Sequence, residues 1–463
     1  MNVKKGHTLE LRIEKLTYGG RGLSRANDLA IFIEKAVPGD EVRARVFKKK
    51  KNYAEARVVE LLRPSPYRVE PPCRYSGSCG GCTWQCLDYD RQLFFKREQV
   101  IESLEHIAQL KDVQVHSVIP SQKIFGYRNK MEFSFSDRRW LLPDEFSIQA
   151  ASRNFALGLH VPGTFDKVLD TEACLLMPDT GNELLGAVRR YAKRSGMPPY
   201  GLKSHKGFWR FLMLRHATVS DHWMVNIITS EERREYVQPL ADMLYQDYDQ
   251  VTSVVNNINT RRAGIAVGQW ERLLAGEPRI ADKIARFEFE VSANSFFQTN
   301  TASAARLYDV VKTFAGLTGR ETVVDLYSGT GTIPIFLSDG ARKVIGIEIS
   351  RGAIEDAHRN CQKNRIQNCQ FICKDIKEGL KDLSVKPDVM VVDPPRAGMH
   401  RDVVETVLDL LPGRIVYSSC NPATFARDLG LLKGGYHVAE IQPIDMFPHT
   451  YHVECVARLE RLA

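Results

Sequence analysis

The segment ETVVDLYSGTGTIPIFLSDGA, residues 321–341, restricts the fold of this chain more than any other stretch. It reads as a buried strand, a glycine turn and a helix. Gly329 and Gly331 let the backbone turn tightly and bring a ligand against a helix N-terminus. The next apolar run, KVIGIE, ends in Glu348, 23 residues beyond Asp325, where an acid can accept hydrogen bonds from both ribose hydroxyls. A third run, QFICKD, ends in Asp375, where an adenine would lie in such a fold. Each acid taken alone is also an ordinary polar strand end; their order favours a nucleoside ligand. Strand and helix alternate from about residue 291, which predicts a Rossmann-like α/β domain over 291–463.

NAD and S-adenosylmethionine both suit such a crevice, and the fourth strand separates them. DVMVVDPPRAG, residues 388–398, ends in Asp-Pro-Pro, and the prolines fix a rigid turn outside the strand's carboxyl end. An NAD enzyme does not need this feature, which resembles the substrate-facing loop of nucleic-acid methyltransferases. Amino-methylating enzymes usually follow the prolines with an aromatic residue; Arg396 stands there instead, so a different target atom is expected. The fifth strand, GRIVYSSCNPATFARDL, delivers Cys420 to the same face. Carbon C5 of uracil is a poor nucleophile, and a thiolate adding at C6 turns the ring into an enolate whose C5 can attack a methyl sulfonium. Glu454, in HVECVARLERL, supplies a carboxylate able to remove the C5 proton. A buried structural thiol is the default for a lone cysteine, but the Asn-Pro turn after Cys420 exposes it.

A chain of 463 residues exceeds one ordinary core, so two or three domains are expected. Residues 1–62 alternate with period two between glycine- and proline-containing turns, which predicts a small β-barrel of oligonucleotide-binding type. The net charge is +8, and residues 1–60 hold 14 Lys/Arg against 8 Asp/Glu. Arg43 to Arg57 alone carries seven Lys/Arg and one Glu, with Phe47 and Tyr53 interleaved, a pattern suited to phosphate tracking and base stacking. A linker with the cysteine cluster follows at 63–87. Next come a helical segment at 88–122, expected to pack on the catalytic domain, and an α+β middle domain at 123–290. Arg128 and Lys130 are candidate RNA contacts in that middle domain. No apolar run approaches a membrane span, no secretory signal is evident, and the cytoplasm is the simplest address.

FFQTN (296–300), DLYSGTG, DPPRAG, SSCNPATFARDL and HVECV occur in one order, and as a set they resemble the bacterial RNA uracil-C5 methyltransferase family over nearly the whole chain. The resemblance implies that Gln298, Tyr327, Thr332, Glu348, Asp375 and Asp393 line the S-adenosylmethionine pocket. It implies that Cys420 is the nucleophile and Glu454 the general base, with Asp393 also meeting the polar edge of the flipped uracil. Ser328 departs from the cysteine that many members carry in the glycine loop. The barrel becomes a TRAM domain by the same likeness. Members acting on the tRNA T-loop are expected to lack both this appendage and the cysteine cluster, which points to 23S rRNA and to the position-1939 type of enzyme.

Cys73, Cys79 and Cys82 supply three thiolates in a glycine-rich loop, and Cys174 is the candidate fourth ligand. Four thiolates suit Zn²⁺ or an iron–sulfur cluster, and the residues alone hardly separate them. The family likeness implies a [4Fe–4S] cluster on these four cysteines, with Cys86 as a spare. The rival readings are a tRNA T-loop uracil-C5 methyltransferase, an RNA cytosine-C5 methyltransferase, a non-catalytic iron–sulfur RNA-binding scaffold and, more distantly, an NAD-dependent oxidoreductase. DPPRAG lacks the second cysteine of the cytosine enzymes. No membrane and no obligate protein partner are implied.

Overall fold

The computed structural model describes residues 3–147 and 153–463; the remaining residues of the expected barrel and middle domain lie outside the described ones. Three sheets carry the architecture, and they match the expected combination of barrel, α+β unit and Rossmann-like unit. Near the N-terminus, six strands between Thr8 and Arg63 form one sheet that curls until its first strand touches Gly22–Ala26. Period-two alternation produces its interior, where Ile13, Ile31, Ile33, Val42, Ala44, Val46, Ala54 and Ala56 are buried together.

The middle sheet has six strands, among them Lys130–Ser136, Trp209–Ala217, His222–Thr229 and Val251–Ile258. Helices Asp179–Arg194 and Arg234–Asp247 cover it and bury Leu184, Leu185, Val188, Leu240 and Leu244 with Trp209 and Trp223. The hairpin Arg279–Ile284 and Phe287–Ser292 departs from the expected division at residue 290. Its apolar face, Ile280, Ile284, Phe287, Phe289 and Val291, joins the core of the Rossmann-like unit beside Leu307 and Val311. Period-two alternation shows a half-buried strand but not which core buries it.

The third sheet has eight strands. Thr322–Leu326, Lys343–Glu348, Cys369–Cys373, Val389–Val392 and Arg414–Ser419 run parallel, and Glu454–Arg461 pairs antiparallel with the last of them. Parallel strands are buried on both faces, which is why VMVV reads as an unbroken apolar run and every residue of TVVDL is buried. Tyr436–Ile444 continues the sheet, and Gln114–Val115 closes its edge, so residues from the 88–122 segment enter the sheet itself. Among the described residues no helix is long and apolar enough to cross a membrane.

One loop, residues 445–452, ties these parts together. The helix Tyr89–Ser103 sends Lys96 to it, where Nζ donates to Asp445 Oδ1 at 2.6 Å and to the Phe447 carbonyl at 3.0 Å. Both side chains of this ion pair are wholly buried. Asp445 also accepts from Tyr89 Oη and the Phe447 amide, while Gln92 spans the Trp84 and Leu87 carbonyls and the His449 backbone. Removing one partner of such a pair strands the other charge away from water. Lys96→Met is therefore expected to lower stability by about 3–5 kcal/mol, read as an earlier urea-unfolding transition of the full chain.

Candidate active site

Sheet register builds the site. Ser419 pairs with Cys455, so the next residue along each antiparallel strand, Cys420 and Glu454, lie side by side at one sheet edge. Val392 pairs in parallel with Tyr417, which places Asp393 next to this pair, beside Ser418. Asn421 caps the helix Pro422–Leu432 through its side chain and donates Nδ2 to the Arg396 carbonyl at 3.0 Å. Thr424 Oγ1 donates to the same carbonyl at 3.1 Å. The Asp-Pro-Pro-Arg loop and the Ser-Cys-Asn-Pro turn are thus locked to each other, and the Arg396 cation stands near enough to Cys420 to act on its thiol.

These groups open into a cavity of about 900 Å³. Its walls include Gln298, Tyr327, Gly329, Glu348, Asp393, Arg396, Cys420 and Glu454. Of the expected donor-pocket residues, Gln298, Tyr327, Glu348 and Asp393 are brought together here. Thr332 and Asp375 are not among the lining residues. Thr332 opens the helix behind Gly331 and takes a hydrogen bond from Tyr308 Oη at 3.1 Å. Asp375 is exposed beyond its strand and caps the helix Ile376–Lys381 through the Lys377 amide. A strand-end acid can serve as a helix cap as readily as a ligand, and spacing does not tell the two apart.

Backbone conformation shapes the donor end. Tyr327 has φ +66°, a left-handed conformation costly for an aromatic residue, and Gly331 has φ +79°. A Cβ at Gly331 would stand 2.9 Å from Ala357 and 3.0 Å from Phe371. Glu348 accepts from the amides of Gly329 and Ser350 at 3.2 and 2.8 Å, which fixes its carboxylate at the cavity wall.

Burial dominates the electrostatics. It pushes the Cys420 thiol up to about 11; Glu454 adds to the rise, and the Arg396 cation opposes it. Glu454 is pushed up to about 8, first by burial and then by Asp393. Asp393 itself rises to about 6 by burial. Asp325, behind the glycine loop, is buried with neither oxygen hydrogen-bonded and is raised well above the carboxylate range by burial, Asp393 and Glu348. Arg396 is the functional candidate that the sequence signals only indirectly, as the residue replacing an aromatic after Asp-Pro-Pro. Phe296, Phe447 and His452 also line the cavity, and no spacing rule marks the last two.

Cys73, Cys79, Cys82 and Cys174 line a second cavity of about 210 Å³. Arg396, Phe447 and His452 border both spaces. Burial, with the neighbouring thiols, pushes Cys79 up to about 11 and Cys82 up to about 12. The Gly81 amide donates to Cys79 Sγ at 3.3 Å. Cys86 does not line this cavity and faces Arg68 instead. Among the described residues no three His, Cys, Asp or Glu side chains converge closely enough to hold one metal ion.

The candidate RNA contacts are partly engaged within the protein. Arg128 lines the cysteine cavity over the Phe447 ring, and Lys130 is ion-paired with Glu132 at 2.6 Å. In the barrel, Arg43 pairs with Glu10 and Glu60, Lys48 pairs with Glu55, and Arg57 lies 5.1 Å over Phe47.

A Rossmann-like sheet with a glycine turn and a strand-end Glu348 is the fold of an S-adenosylmethionine-dependent methyltransferase. Residues 215–462 match the tRNA (uracil-5-)-methyltransferase family, and residues 2–59 match the TRAM domain. An uncharacterised RNA methyltransferase of Chlorobaculum tepidum is 42% identical over 92% of this chain and 90% of its own length. Another, from Bacteroides thetaiotaomicron, is 41% identical over 95% of this chain and 99% of its own. The crystal structure of a Pyrococcus abyssi tRNA (uracil-54, C5)-methyltransferase with S-adenosyl-L-homocysteine superposes with a TM-score of 0.76. It is 31% identical and covers 97% of this chain and 100% of its own. The chain belongs to the RNA uracil-5-methyltransferase family, whose members use S-adenosylmethionine, and carries the family's TRAM domain.

Proposed function

We propose that this protein methylates C5 of a uracil in 23S rRNA, in the cytoplasm, through a covalent Cys420–C6 adduct. The observation that carries the chemistry is the juxtaposition of Cys420, Glu454, Asp393 and Arg396 on one cavity wall. S-adenosylmethionine, when bound, supplies an electrophilic methyl group on a sulfonium. Gln298, Tyr327 and Glu348 would hold it. Arg396 stabilises the Cys420 thiolate, which forms a bond to C6 as the C5–C6 π electrons move onto the O4 enolate. C5 then takes the methyl group, leaving the donor as its thioether. Glu454 removes the C5 proton, and β-elimination breaks the S–C6 bond to give 5-methyluridine. Asp393 meets the polar edge of the extruded base, which costs a few kcal/mol to unstack.

Cys73, Cys79, Cys82 and Cys174 would hold a [4Fe–4S] cluster. A single Zn²⁺ needs four sulfurs about 2.3 Å from one point; a four-iron cube binds each thiolate through a different iron and spreads them apart. The lining of one cavity by all four thiols is what supports this reading. When bound, it supplies a cross-link between the 73–82 loop and the middle unit. Iron and sulfide analysis of anaerobically purified protein should give about four of each per chain, lost in Cys174→Ala and kept in Cys86→Ala.

A second substrate reading, a tRNA uridine, is favoured by the Pyrococcus abyssi enzyme. That protein, which acts on tRNA, spans nearly all of this chain, so overall extent does not exclude tRNA. The test is mass spectrometry of 23S rRNA fragments and tRNA from cells with and without the gene. Loss of a methyl from 23S rRNA is expected, and loss from tRNA alone overturns the rRNA assignment. Cys420→Ala should abolish turnover while retaining S-adenosylhomocysteine binding; residual methylation would sink the covalent scheme. Glu454 acts only once deprotonated, so single-turnover rates should rise with pH through about 8. Arg396→Gln should slow them about tenfold at neutral pH, as for a one-unit rise in the thiol's pKa.

A further inference from the structure

The turn Thr17-Tyr18-Gly19-Gly20-Arg21 of the barrel reaches the catalytic face. Two backbone bonds close it, Thr17 amide to the Arg21 carbonyl at 2.8 Å and Gly20 amide to the Thr17 carbonyl at 3.0 Å. Gly19 and Gly20 have φ of +96° and +82°, which L side chains rarely adopt. A Cβ at Gly20 would stand 3.3 Å from Thr83 and from the Trp84 ring nitrogen, so the turn lies against the cysteine segment because glycine is there. Behind it, Leu16 and Val37 of the barrel share one buried cluster with Trp84, Leu87 and Phe95, with Tyr451 packed against it.

Tyr18 stands at the tip. Its ring meets Tyr451 edge-on at 5.3 Å, and the Tyr451 ring lies 4.2 Å from that of His452, a wall of the catalytic cavity. Burial, with the neighbouring Tyr451, raises the Tyr18 phenol to about 12. The ring nonetheless remains 39% exposed. An aromatic row that begins at an exposed tip and ends at the reaction cavity is what unstacked bases bind, because every base has a π-face.

We propose that Tyr18 is a substrate-positioning residue: the barrel turn forms one lip of the catalytic cleft, and its ring stacks on a nucleobase flanking the target uracil. This rests on the RNA-methylation reading and assigns the barrel a place in the reaction geometry in addition to general RNA affinity.

The experiment uses the full chain and unmodified, in vitro transcribed 23S rRNA. Tyr18→Ala should raise KM for RNA at least about fivefold, in the range of one lost base–aromatic stack. The single-turnover rate at saturating RNA and the affinity for S-adenosylhomocysteine should hold within about twofold. Tyr18→Phe and Tyr18→Trp should restore KM. Tyr18→Leu, which keeps bulk against Tyr451, should match the alanine variant at unchanged thermal stability. An unchanged KM in Tyr18→Ala overturns the proposal; so does a Phe variant as weak as Ala, or a loss of donor affinity. Anisotropy binding of the same RNA is read in parallel. Failure of the wild type to transfer methyl would then count against the proposed function, while the ratio of binding constants still decides the role of Tyr18.

Discussion

The buried pair Lys96–Asp445 is the contact on which the site's assembly depends. Two opposite charges wholly out of water tolerate one geometry, since each must keep the other within hydrogen-bonding distance. Lys96 belongs to the helix that follows the cysteine loop, and Asp445 to the segment leading into the strand of Glu454. Asn300 anchors the same segment through the Met446 carbonyl, and Tyr127 does so through the Pro448 carbonyl. Three parts of the chain distant in sequence are thereby fixed around one loop.

That loop also explains why the two cavities are neighbours. Phe447 and His452, with Arg396 from the Asp-Pro-Pro loop, border the four-cysteine space on one side and the catalytic space on the other. Burial lowers the His452 pKa to about 4, helped by Arg396, so the wall is neutral on its histidine side at physiological pH. The cation of Arg396 then stands as the positive counterpart to the acids Asp393 and Glu454 and to the Cys420 thiol. A cation able to offset their desolvation must sit on a rigid loop, and Asn421 and Thr424 provide that rigidity through the Arg396 carbonyl.

Several elements were legible in the sequence because they depend on local rules. The glycine turn, the apolar parallel strands and the alternation of the N-terminal strands follow from backbone conformation and periodicity. The nucleophile candidate and its carboxylate partner were readable because strand ends in an α/β sheet share one edge. Other parts were not legible. The Arg279–Ser292 hairpin joins the catalytic core, and Gln114–Val115 completes the catalytic sheet, through pairings that no local signal encodes. Nor does spacing signal that Asp375 caps a helix or that the Thr332 hydroxyl accepts from Tyr308.

By itself, then, the sequence determined which elements form and which residue types are available: a thiol, several acids, an arginine after two prolines, and four cysteines beyond the catalytic edge. Only the tertiary structure decided which of them meet, that Cys86 stays outside the thiol-lined cavity, and that the barrel's Tyr18 stands beside the reaction cleft. The physical reason is that periodicity and turn chemistry act over a few residues. Burial, and with it the charge state of Cys420 and Glu454, is set by neighbours on other strands and loops, tens of residues away in the chain.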